Sequence, residues 1–80
     1  MTEAETKLRA AFVESLGIPA STDFDGLSYR GIKQWDSVAH MQLVSAIESA
    51  FDLMLETDDV LGMSDYGKAK EIVRKHGVEL

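Results

Sequence analysis

Ser37 stands directly behind an acid where an apolar helical stretch begins, in the run QWDSVAHMQLV of residues 34–44. Two kinds of chemistry fit that spot. Asp36 and Ser37 are both good helix N-caps, worth about 1 kcal/mol over alanine, so either can serve simply to close the first turn. A serine hydroxyl there also lies beside unpaired backbone N–H groups and the positive end of the helix dipole, a setting suited to holding a phosphate ester. With His40 one turn on, Asp36, Ser37 and His40 have the composition of a hydrolytic relay, because side chains at i and i+3 meet on a helix. Such relays normally draw their members from separate elements around an oxyanion-binding pocket, and nothing in the flanking sequence builds one. The chain is therefore not read as an enzyme, and His40 is read as a polar residue near Ser37.

Metal and thiol chemistry find little support. The chain has no cysteine, so it has neither disulfides nor a thiolate of its own, and any thiol must come from outside. Asp23-Phe24-Asp25-Gly26 resembles a fragment of a calcium loop, but the twelfth position counted from Asp23 is Gln34 where a bidentate Glu is required. Asp58 and Asp59 read as a solvated acidic face, and no metal site is assigned.

Charge narrows the partners. The 80 residues carry a net charge of minus six, concentrated in the middle third: residues 36–65 hold seven acids and no Lys or Arg. Residues 1–35 are nearly neutral and residues 66–80 carry a net plus two. A one-signed field repels phosphate backbones, which argues against nucleic acid and for basic protein surfaces as partners. No stretch approaches the roughly 18 apolar residues of a membrane helix, and the N-terminus MTEAETKLRA has acids where a signal peptide has bases. A cytoplasmic location without membrane insertion is expected.

The elements that must position Ser37 are helical. Leu8, Ala11, Phe12 and Leu16 follow helix spacing over 3–16, with Thr2 as cap and Gly17 as stop. About twenty residues of loop follow, rich in Ser, Asp and Gly. This loop is longer than the ~12–15 residues usual for a connection without structure. It carries Leu27, Tyr29, Ile32 and Trp35, so it is expected to lie against the helices, with a short helical turn of its own. A second helix spans 37–51, its stripe read as Met41, Val44, Ile47 and Phe51 with Val38 and Leu43 beside it. Thr57-Asp58-Asp59 opens a very short third helix closed by Gly62. Ser64-Asp65 opens a fourth, with Tyr66, Ala69, Ile72 and Val73 inward and Arg74, Lys75 and His76 before Gly77. Met41, Val44, Ile47, Met54, Leu55 and Met63 are read as core. An apolar content of 45% supports one small all-α domain over 1–80, a four-helix bundle with a long first loop.

The run WDSVAHMQLVSAIESAF resembles the phosphopantetheine attachment segment of acyl carrier proteins, whose core is D-S-L followed by an apolar helix. The subgroup reading W-D-S-L-x-H-M-x-L-V is especially similar. An acidic linker, the TDDVLGM helix and a last helix opening SDYGKAKEIV follow in that family's order, so the likeness spans about residues 3–76.

The resemblance implies that Ser37 is the hydroxyl to which a separate phosphopantetheinyl transferase joins 4'-phosphopantetheine from coenzyme A, with Asp36 and Val38 flanking the attachment. The arm would carry acyl groups as thioesters between enzymes of a fatty-acid, polyketide or related specialised biosynthetic pathway. Basic acyl-loading and acyl-processing enzymes would dock on Val38, Met41, Glu48, Asp52, Glu56, Asp58 and Asp59, with the carrier a monomer. Val38 replaces the usual Leu, and Ala39, Gln42 and Ser49 occupy positions often acidic in fatty-acid members, which favours a specialised pathway. A peptidyl or aminoacyl carrier, and an acidic helical adaptor without a prosthetic group, are the alternatives.

Overall fold

A computed structural model describes residues 1–80 and contains four α-helices and no strand. They are α1 (Glu3–Leu16), α2 (Ser37–Phe51), α3 (Thr57–Gly62) and α4 (Tyr66–Lys75), and a 3-10 turn at Phe24–Gly26 interrupts the first loop. The radius of gyration, 11.2 Å, is close to the ~11.6 Å expected of a compact chain of this length. No helix is long and apolar enough to cross a membrane.

Local signals explain where each helix begins and ends. Thr2 Oγ1 accepts from Glu5 N at 3.1 Å, and Gly17 closes α1 at φ 66°, a left-handed conformation that a Cβ disfavours. Asp65 caps α4, accepting from Lys68 N at 2.7 Å. Beyond α4, Gly77 turns the chain at φ 94° and Val78 N donates back to Val73 O. Asp52 ends α2 at φ 51°, where an aspartate is among the few non-glycine residues tolerated.

One core joins every element. Leu8, Ala11, Phe12 and Leu16 of α1 face Leu43, Val44 and Ile47 of α2, and Tyr66, Ala69 and Val73 of α4 close it. Phe12 is the aromatic hub, meeting Trp35 edge-on at 5.4 Å and Tyr66 at 5.3 Å. The Tyr66 hydroxyl donates to Glu5 Oε2 at 3.0 Å and accepts from Arg9 Nε at 3.1 Å, tying α4 to α1.

The first loop packs against the helices. Phe24, Leu27 and Trp35 are buried, while Tyr29 and Ile32 pack partly against the core. Ser28 and Asp65 form an antiparallel bridge, and Tyr29 N donates to Ser64 O at 2.8 Å. Residues 28–35 then form a tight hook in which Arg30 N donates to Trp35 O at 2.9 Å, with Arg30 at φ 63°. At Gly31 a Cβ would lie 2.1 Å from Ser28 Oγ and 3.1 Å from the Ser28 carbonyl, so a side chain there would require Ser28 to shift.

Three apolar side chains read on or beside the inward stripe lie outside the core. Met41 is 54% exposed and Met54 is 83% exposed, and Val38, placed beside the stripe, is 67% exposed. The face of α2 that enters the core is Ala39, Leu43, Val44 and Ile47, with Phe51 half-buried. At ~100° per residue Met41 stands about 160° around the axis from Leu43. Because α2 is apolar over most of its circumference, periodicity alone did not select the inward edge.

Ile47→Ala is expected to lower unfolding free energy by about 2–5 kcal/mol, the usual range for emptying a buried aliphatic site. Val38→Ala should stay within about 0.5 kcal/mol of the parent. Urea denaturation of both variants checks this, and comparable losses would contradict the assigned face.

Candidate functional site

The first turn of α2 separates the two roles that Asp36 and Ser37 could share. Asp36 is the cap: its Oδ1 accepts from Ala39 N at 2.9 Å, and its carbonyl accepts from His40 N. Ser37 is the first helical residue and is exposed. Capping therefore does not account for the serine. The amides of Ser37 and Val38 are the donors of this turn left without a helix partner, and they lie beside the Ser37 hydroxyl.

His40 does not complete a relay with these residues. Trp35 Nε1 lies 2.9 Å from His40 Nδ1, and an indole N–H can only donate, so Nδ1 is the accepting nitrogen. The proton of the neutral ring is then on Nε2, which donates to Val60 O at 2.9 Å. The ring also stacks on Trp35 at 6.0 Å and leans on Tyr29 at 5.1 Å. Both nitrogens are engaged away from Ser37, and Asp36 is engaged by Ala39. The histidine joins the loop, α2 and α3. Sequence reading missed this link, although a buried tryptophan always requires an acceptor, and that requirement is legible once Trp35 is placed inside.

Beside Ser37 a cleft of about 230 Å³ runs between α2 and α3, walled by Tyr29, His40, Met41, Leu61 and Ser64. On its outer side Ser37 shares a shallower groove with Val38, Met41, Gln42 and Ser45. Val38, Met41 and Leu61 are all more than half exposed, so an apolar rim surrounds an exposed hydroxyl. The structure thus gathers Asp36, Ser37, Val38 and Met41 into one locality.

The acids expected to act with them are distributed differently. α2 is ~22 Å long, so Glu48 and Asp52 lie toward the end remote from Ser37, and α3 returns toward it. Glu48 is half-buried, and its Oε2 accepts from Leu55 N at 2.8 Å, fixing the linker. Asp52, Glu56 and Asp58 are exposed.

Asp59 is a correction: it is 3% exposed and does not belong to a solvated face. Lys75 Nζ donates to Oδ1, His76 Nε2 lies 2.8 Å from Oδ2, and Glu56 N donates to Oδ2 at 3.2 Å. The third residue of so short a helix, facing inward, meets the basic end of α4. Residues sixteen and seventeen positions apart pair there, beyond the reach of local sequence reading.

The Lys75 ammonium, and next the His76 ring, hold the Asp59 carboxyl well below the usual carboxylate range. The unfolded chain releases that proton near pH ~3.9, so the stabilisation is complete above about pH 4 and is lost as pH falls below it. Asp59→Asn should therefore lower the melting midpoint at neutral pH and flatten its decline in acid. Circular dichroism melts across pH test this, and an unchanged acid limb would refute it.

No known protein-family model, curated protein or solved structure matches the chain, so the site is read from its own residues and from the resemblance at 35–51.

Proposed function

We propose that this chain is a freestanding acyl carrier in which Ser37 accepts 4'-phosphopantetheine. The observation that carries the reading is the division of labour in the first turn of α2. Asp36 caps the helix, and an exposed serine remains inside an apolar rim. Helix order, the long packed first loop and the DS motif support the same reading.

The residues present fit the group. Attachment forms a Ser37 Oγ–P bond as the pyrophosphate P–O bond of coenzyme A breaks, so adenosine 3',5'-bisphosphate leaves and the Ser37 hydroxyl gives up its proton. The amides of Ser37 and Val38, at the positive end of α2, suit the phosphodiester. Once bound, the arm supplies the thiol that this cysteine-free chain lacks, on which acyl groups travel as thioesters. Asp36 fixes the register of the first turn, and thus the direction in which Ser37 points. Ser37 in this reading is an acceptor acted on by a separate transferase.

Val38, Met41 and Leu61 offer apolar contact around the attachment point, while Asp52, Glu56 and Asp58 supply a field for basic enzymes that load or process the cargo. Such charge complementarity speeds encounter while leaving complexes short-lived, as a shuttle requires.

Incubation with coenzyme A and a permissive phosphopantetheinyl transferase should add one arm by intact mass, and Ser37→Ala should abolish the addition. A wild-type chain left unmodified by several transferases would refute the proposal. Binding of the loaded carrier to a basic partner enzyme should weaken with added salt, because exposed charges are screened within about 8–10 Å at physiological ionic strength. Titration calorimetry at two salt concentrations reads this, and salt-independent affinity would move docking off the acids.

A further inference from the structure

Resting on the carrier reading, we infer that this chain keeps its cargo outside its core and is suited to short acyl groups rather than long hydrocarbon chains. Three observations converge on the boundary between α2 and α3, where a chain leaving Ser37 would have to enter.

The interior beneath the cleft is filled. Trp35, Phe12, Tyr66 and Met63 are fully buried, and the aromatic rings interlock edge-to-face, an arrangement that cannot shift without separating several contacts together. Met63 lies at the base of the cleft and Trp35 lies behind His40.

The boundary is also bonded shut. His40 Nε2 donates to the Val60 carbonyl, and its Nδ1 accepts from the Trp35 indole. Parting α2 from α3 would leave the His40 Nε2–H and the Val60 carbonyl without their partners. One residue earlier, Asp59 is held by Lys75 and His76, so α3 is anchored to α4 as well as to α2. A six-residue helix secured on two sides has little freedom to swing.

What remains for cargo is the surface cleft. Its walls are mainly apolar, from Tyr29, Met41, Val60, Leu61 and Met63, and its volume of about 230 Å³ stays open to solvent. A cleft of this size suits a short acyl chain and leaves a long alkyl tail in water.

The test loads the full chain from coenzyme A thioesters of graded length, acetyl to dodecanoyl, and reads intact mass, melting midpoint and methyl resonances of Val44, Ile47 and Val73. The expected result is one cargo per chain by mass, a midpoint independent of chain length and unshifted core methyls. A midpoint that rises by more than about 4 °C from acetyl to dodecanoyl, with shifted core methyls, overturns the inference while leaving the carrier reading intact. An unchanged mass overturns both, and so separates the two failures. In folded His40→Ala, where the two bonds are removed, dodecanoyl loading should begin to shift the core methyls. The same length-independence in that variant would overturn the role given to His40.

Discussion

A buried indole N–H can only donate, and in this chain its acceptor is a histidine one helical turn beyond the helix cap. That constraint organises the region around Ser37. With Trp35 inside the core against Phe12, its N–H must reach His40 Nδ1, which obliges Nε2 to carry the proton and offer it to Val60 O. One side chain therefore fixes the end of the first loop, the start of α2 and the position of α3. The hook at residues 28–35 has the same consequence from the other side, since Arg30 N bonds Trp35 O and Tyr29 N bonds Ser64 O. Ser37 stands on an outward face of this assembly, so its direction is set largely by groups that it does not bond.

Electrostatics divides the same elements into structural and available charge. The acidic middle third of the chain looks uniform in one dimension, yet two of its carboxylates are engaged inside the fold. Glu48 holds the amide of Leu55, and Asp59 is neutralised by the basic end of α4. Such a carboxylate is stable inside because three donors replace its water. Asp36 and Asp65 cap α2 and α4, which leaves Asp52, Glu56 and Asp58, along the linker and the opening of α3, as the exposed acids available to a partner. The proposed carrier thus presents an apolar rim at its attachment point and a negative field farther along, two surfaces with different ranges of action.

Helix existence was legible because each helix carries its own instructions. Thr2 and Gly17 bracket α1, Asp36 and Asp65 open α2 and α4, and Gly77 follows the last turn of α4. The aromatic and aliphatic residues of the first loop likewise announced that it would pack. The inward edge of α2 was not legible, because Val38, Met41 and Leu43 are equally apolar and only the position of α1 distinguishes them. Asp59 was misread for a related reason, as local sequence shows a run of acids but not the lysine and histidine that fold back upon one of them.

The sequence by itself determined the helical class, the helix limits, the lack of an internal thiol and the candidate hydroxyl at Ser37, since these depend on backbone caps, residue type and spacing within one or two turns. A local bond from Ala39 N settled that Asp36 rather than Ser37 closes the turn, whereas only the tertiary structure decided that His40 links three elements instead of serving a relay, and that Asp59 is inside. Each of the last two depends on which donor meets which acceptor across segments distant in the chain, and a hydrogen bond forms only where folding brings its two ends within about 3 Å.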